Sequence, residues 1–423
     1  NIDKRKYSYV KNWSEKFLSG IDVDMNLKKL LKWEQQIMSD NIALGDEKEL
    51  LKVIQNARSS DFNFQKIYDI SRTYRHFLQI RLRYNDYQKV HLFLTEKRTD
   101  YEFSKLVNDK LHESTNEIIS DYSHKNIANY TDLFPWLSSL FYNENLDGYN
   151  RILAWIRMVF IAHNKKQYDL LQDAFVYFDK MIAIGKFYSR RIVINFYSQY
   201  LLYYASRQEF EKAIYYGQLS IKEKNNDYLY YANNLVAVML RYNRADDALR
   251  LLRDASMTAQ NEVNFHNKIS HAAYTIFALI DTQKTKQAEN HAFVFYNAYK
   301  KEIFQHRWHL FFNAFFKSMI LNENYTEIIK LTNYQKLITK DELLAKNTNY
   351  TPSIPWMYYL ASFKNGDIST EKLKSNLQIC VDATQNIASN NSFDDLIKLT
   401  KKVLKSEFDN SVFTQVDLRN AVS

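Results

Sequence analysis

The chain has 423 residues, of which 46% are hydrophobic, 15% aromatic and 25% charged, with a formal net charge of +9. Six glycines and three prolines make up about 2% of it, where ~12% is usual. Sandwiches, barrels and Rossmann-type domains need tight turns built on those two residues, so the composition excludes them and leaves an all-α protein.

The glycines are also too scattered for a P-loop, a GxGxxG fingerprint or a GxSxG elbow; the closest pair is Gly20 and Gly45. Single cores stop growing near ~250–300 residues, whereas a helical solenoid keeps burying apolar surface as repeats are added. Mean hydropathy is -0.47, and no apolar run approaches the ~18 residues of a membrane span, so no membrane partner is expected. The lone Cys380 excludes an intrachain disulfide and a thiolate zinc finger, and fits a reducing cytoplasm. Charge is uneven. Segments 51–100 and 151–200 carry ten and eight Lys/Arg against five and three Asp/Glu, and the rest is close to neutral.

In chain order, residues 1–150 read as a helical region without a visible repeat, either degenerate hairpins or a separate helical domain. The expected helices are Asn26–Met38, Lys48–Ala57, Phe64–Asn85 and Tyr101–Ser120. Asp46 and Glu49 have capping-box spacing before Leu50 and Leu51, and Pro135 suits the first turn of a helix entered at Thr131–Trp136.

Residues 151–340 repeat one unit: an apolar-faced helix, a short polar turn and a second helix. The clearest copy spans Tyr231–Ala255. Ala232, Leu235, Val236 and Met239 form one stripe, Arg241–Arg244 the turn, and Ala248, Leu251, Leu252 and Ala255 the inner face of the second helix. Small Ala248 and Ala255 permit a close helix crossing. Further copies begin at Trp155, Tyr197, Ala272 and Phe312. Their matched positions Leu171, Ala213, Ala248, Ala288 and Ile328 stand 42, 35, 40 and 40 residues apart. In 341–423, Asn347–Pro355 reads as a linker, Trp356–Phe363 and Glu371–Leu377 as another hairpin around Gly366, and Phe393–Leu404 as a capping helix.

The unit resembles the tetratricopeptide repeat, a pair of helices with a large-then-small residue signature over ~34 residues. The resemblance covers roughly residues 150–335; its longer spacings imply longer helices or connections, and no copy ends in the usual proline. It implies a right-handed α-solenoid of TPR-like hairpins whose first helices line a concave groove. In that family, polar side chains on the first helices hold an extended peptide, often through Asn amides. Carried over, this implies Arg157, Gln199, Asn234, Asn313 and Lys317 as groove residues, with Arg241 near the rim.

Three other constellations carry a chemical reading and a plainer one. Glu302, His306 and His309 share a helix face at metal-ligand spacing, but Trp308 and Phe311 beside them favour histidines flanking an apolar stripe. Arg157 and His163 have the R-x5-H spacing of some helical ribonucleases, a pattern that any chain rich in both residues shows by chance. Arg72, Arg75, Arg81, Arg83 and Lys89, interleaved with Tyr74, Phe77, Tyr84 and Tyr87, form the strongest basic-aromatic run. Such a run can hold nucleic acid, with cations on phosphates and rings on bases. The expectation is a non-catalytic cytoplasmic scaffold that binds a protein or peptide and needs no cofactor or metal. The alternative is a nucleic-acid-binding protein using segments 51–100 and 151–200.

Overall fold

The computed structural model describes residues 4–124, 132–165, 167–345, 350–384 and 391–409. No strand occurs among them, and none of the helices described is long and apolar enough to cross a membrane. The chain divides into two compact units, residues 1–207 and 208–423. The division falls in the turn of the hairpin expected from Tyr197 to Ala213.

The first unit contains α1 (Lys4–Ile21), α2 (Val23–Met38), α3 (Leu44–Asn56), α4 (Phe64–Ile80), α5 (Tyr84–Glu96), α6 (Arg98–His124), α7 (Leu133–Tyr142), α8 (Gly148–Lys165), a 3-10 turn (Tyr168–Leu171), α9 (Gln172–Ala183) and α10 (Arg190–Ser206). Pro135 lies in the first turn of α7, as its missing N–H favours. Asp46 does not cap α3. The helix starts two residues earlier, at Leu44, and Asp46 instead faces the Lys32 ammonium at 3.5 Å.

The second unit contains α11 (Phe210–Ser220), α12 (Tyr228–Arg241), α13 (Ala245–Asp254), α14 (Ser256–Asn261), α15 (Phe265–Asp281), α16 (Thr285–His306, kinked at Tyr299), α17 (Trp308–Leu321), α18 (Tyr325–Gln335), α19 (Leu337–Glu342), α20 (Ser353–Lys364), α21 (Thr370–Ala383) and α22 (Asn391–Asp409). Part of the expected linker 347–355 lies outside the described residues, and α20 occupies its end. Gly366, in the left-handed region at φ 84°, makes the turn between α20 and α21.

One packing rule runs through the second unit. The first helix of each hairpin lies against both helices of the hairpin before it. Thus α15 packs on α12 and α13, α17 on α15 and α16, and α20 on α17 and α18. The matched small or apolar positions sit where the helices cross: Ala248, Ala288 and Ile328 are fully buried here, as is Ala213 on α11. Residues 4–165 follow the same rule, although their sequence shows no repeat: α4 packs on α2 and α3, α6 on α4 and α5, and α8 on α6 and α7. The core of α2–α5 gathers Trp33, Ile37, Leu50, Ile54, Phe64, Tyr74, Leu78 and Val90. That of α6–α10 centres on Trp155, Phe175, Phe178 and Phe196 and joins residues on both sides of the boundary expected near 150.

The expected stripe Tyr197, Tyr200, Leu201 and Tyr204 is rotated on α10. Phe196, Leu201 and Tyr203 are buried, while the three expected tyrosines are only half-buried. Phe196 carries no hydroxyl to satisfy, so it takes the place beside Trp155, Phe175 and Phe178.

The hairpins turn without glycine in most cases. Asp40, Leu82, Asn243, Gln283 and Glu323 adopt φ between 55° and 62°, and Gly185 occupies the equivalent position. In each case the next residue's N–H returns to a carbonyl five positions back. Examples are Arg83 to Leu78 (3.1 Å), Arg244 to Met239 (2.9 Å), Lys284 to Leu279 (2.8 Å) and Asn324 to Met319 (2.9 Å). This is the six-to-one hydrogen bond of a Schellman helix end. A side chain in this conformation costs ~1–2 kcal/mol, so the hydrogen bond and the helix packing beyond it must hold it there. Leu82 also splits the single helix expected over Phe64–Asn85 into α4 and α5.

Leu82 is 67% exposed. Leu82→Gly is therefore expected to relieve backbone strain with little lost packing, raising stability by ~0.5–1 kcal/mol in urea titration. Ala248→Arg is expected to do the opposite, lowering it by ~1–3 kcal/mol or more by overpacking the α12–α13 crossing. An unchanged melting temperature would count against that crossing.

Candidate partner-binding face

On α12, burying Leu235, Val236 and Met239 against the neighbouring helices turns a line of Tyr230, Asn234, Ala237 and Arg241 toward solvent. Spacings of four, three and four residues keep such a line on one face of a helix. On α17 the corresponding line is Leu310, Asn313, Lys317 and Leu321, opposite the buried Phe312, Phe315, Phe316 and Met319. Between them, α15 presents Tyr274, Phe277 and Asp281. The Lys317 ammonium lies 5.6 Å from the centre of the Phe277 ring. Desolvation pushes the Asp281 carboxyl up, Lys317 pulls it back, and the Asp395 carboxylate of α22 pushes it up further.

The last hairpin departs from α17, although α15 already buries Ser270 and Ala273 at two of the matching places. Counting back from the left-handed residue, Ser353, Trp356 and Leu360 of α20 match Leu310, Asn313 and Lys317 of α17. Leu310, Asn313 and Lys317 reach solvent, yet Ser353, Trp356 and Leu360 are 2%, 1% and 0% exposed. The helix α22 lies over Trp356. Phe393 meets the Trp356 ring at 5.7 Å, and Trp356 Nε1 donates to Thr400 Oγ1 at 2.8 Å. Leu396, Leu399 and Leu404 are buried alongside. A helix continuing the stack would pack on both α20 and α21, but the main packing partner of α22 is α20. The first-helix face thus already carries a helix at one end.

Of the six expected groove residues, Asn234, Arg241, Asn313 and Lys317 fall on these lines. Asn234 is only half-exposed: its Nδ2 is enclosed and has no hydrogen-bond partner among the described residues. Its neighbour Asn233 is buried and donates to the Asn267 carbonyl at 2.9 Å. The other two lie off these lines. Arg157 is buried, donating from Nε to the Leu111 carbonyl (2.6 Å) and from Nη1 to that of Leu153 (2.8 Å), and so fastens α8 to α6. Gln199 is buried on α10.

Arg157 is also unavailable to a phosphate, and His163 faces elsewhere, its Nδ1 being 2.6 Å from the Tyr168 hydroxyl. The basic-aromatic run is largely occupied. Arg81 pairs with Asp40 (2.8 Å) and stacks on Phe77 (3.8 Å), Arg83 pairs with Glu47 and Asp86, and Lys89 pairs with Asp86 (3.2 Å). Tyr74 and Phe77 are core residues, while Arg72 is exposed and Arg75 half-exposed. Phosphate contact would have to compete with those pairs.

The helix carrying Glu302 and His306 ends at His306, and His309 belongs to the next helix. His309 Nε2 lies 3.2 Å from the buried Asp341 carboxylate. No cluster of three His, Cys, Asp or Glu able to hold a metal occurs among the described residues.

No protein-family model matches the chain, and neither a curated protein nor a solved structure matches it.

Two half-buried histidines, His271 on α15 and His291 on α16, link the stability of this unit to pH. His271 donates from Nε2 to the Leu252 carbonyl at 3.0 Å. Burial is the main cause lowering both imidazolium pKa values below the ordinary value. The neutral forms are therefore favoured by folding. Their stabilising contribution is complete above the unfolded pKa of ~6.5 and is lost as pH falls through the folded values. The melting temperature is expected to drop between pH 7 and pH 5, and less steeply in His271→Gln/His291→Gln. Equal slopes would show that these two groups do not set the acid limit.

Proposed function

We propose that the second unit is a non-catalytic interaction scaffold. In this reading its hairpins form a TPR-like right-handed solenoid, and the lines on α12, α15 and α17 bind an apolar-striped segment of a partner protein. Support comes chiefly from one contrast: Asn313 reaches solvent on α17, whereas its match on α20, Trp356, is covered by α22. A face that holds one amphipathic helix in this way has the shape and chemistry for another segment of the same kind. The half-exposed Tyr274, Phe277 and Leu310 offer it apolar contact. Arg241 and Lys317 offer it charge and hydrogen bonds at two places along the face.

This proposal differs from the extended peptide that the family resemblance implies. The resident segment is helical, and the amide of Asn234 is enclosed rather than offered to a peptide backbone. In a co-purification from the native cell, Arg241→Ala/Lys317→Ala is expected to weaken the captured partner by ~10-fold or more, with helicity and melting temperature unchanged. Undiminished affinity in that variant would place the partner on a different surface.

A further inference from the structure

The helix α1 has no buried residue. Its contacts are confined largely to α2 and to its own C-terminal end, where Ile21 rests against Gly185. Just beyond that end, Asp22 caps α2, and the Val23 N–H donates to the Tyr188 carbonyl at 2.9 Å. Among the described residues the helix is thus seated at its C-terminal end, with its side chains exposed along most of its length.

Its two sides differ sharply. Tyr7, Val10, Phe17 and Ile21 run down one side, with Tyr9 and Trp13 flanking them. Tyr7, Tyr9, Val10, Trp13 and Phe17 are 63%, 73%, 58%, 59% and 54% exposed, and the Trp13 and Phe17 rings stack at 5.6 Å. The opposite side carries Lys4, Arg5, Lys11 and Lys16, with Glu15 as the helix's one acidic residue. Counting Lys6, whose spacing from Val10, Trp13 and Phe17 puts it on the aromatic side, these 18 residues hold a charge of +4, while the first fifty residues together are neutral. Lys4, Arg5 and Lys6 occupy the first turn, where the helix dipole disfavours positive charge and favours an anion.

We propose that α1 lies on an anionic lipid surface. An interfacial helix is recognised by a large amphipathic contrast, low overall hydrophobicity, aromatic residues on the immersed side and Lys/Arg on the other. Tyr and Trp rings suit the headgroup boundary, and Lys stems reach from that depth to the phosphates. The charge selects the occupant: a second copy would bring another +4 to the same place, whereas an anionic leaflet neutralises it. The mode is peripheral, and it departs from the expectation that no membrane is engaged.

The test is co-sedimentation of the full chain with vesicles of phosphatidylcholine containing about one-third phosphatidylglycerol, beside vesicles of phosphatidylcholine alone. Binding to the anionic vesicles alone is expected. Trp13→Asp/Phe17→Asp should abolish it, and Lys4→Glu/Lys11→Glu should weaken it by ~10-fold or more, both at an unchanged melting temperature because no buried side chain is altered. The proposal is overturned by absence of binding, by equal binding to both vesicle types, or by binding that survives Trp13→Asp/Phe17→Asp. A concentration-dependent dimer abolished by that same variant would likewise overturn it, assigning the face to a second copy.

Discussion

The fold of the second unit depends on one constraint: a helix with a broad apolar face must be covered on two sides at once. A single hairpin covers one side. The next hairpin covers the other, and does so closely where Ala248 and Ala288 let two backbones approach. Each fully buried Leu, Phe or Met in these crossings contributes ~1.5–3 kcal/mol of apolar transfer, so the stack depends on neighbours much more than on local helix propensity. It also leaves the remaining line of each first helix facing outward, and that line is the proposed site.

The hairpin stacking of the second unit was legible because small or apolar residues stand at fixed distances from its turns. It was hidden in residues 1–150 for an equally physical reason. Five residues after the left-handed Leu82, the place held by Ala248 and Ala288 is taken by Tyr87, half-buried and stacked on His91. The helices still pack by the same rule with a bulkier contact, and the small-residue signature disappears. Scarce glycine correctly excluded β architectures, yet it gave no warning that Leu82, Gln283 and Glu323 would stand in left-handed turns. Tertiary packing and the returning hydrogen bond impose that conformation against local preference.

Site residues were less legible than the core. Arg157 and Asn313 were both carried over as groove residues, but α6 covers Arg157 and solvent reaches Asn313. Which side of a helix receives its neighbour is a tertiary property, and no spacing within the helix reports it. The amphipathic pattern of α22 could be read from Phe393, Leu396, Thr400 and Leu404; its seat on α20 could not. The charge of α1 escaped notice because a fifty-residue window averages it away against Asp22, Asp24, Glu34 and the acidic start of α3.

As an occupant of the first-helix face, α22 is held chiefly through Trp356. Hydrogen–deuterium exchange on Phe393→Asp examines this most directly. Rapid exchange confined to α22 is expected, with protection retained in α12, α15, α17, α20 and α21. Collapse of protection across α20 and α21 together with α22 would contradict it, because α22 would then be part of the core and would say nothing about what the face can bind.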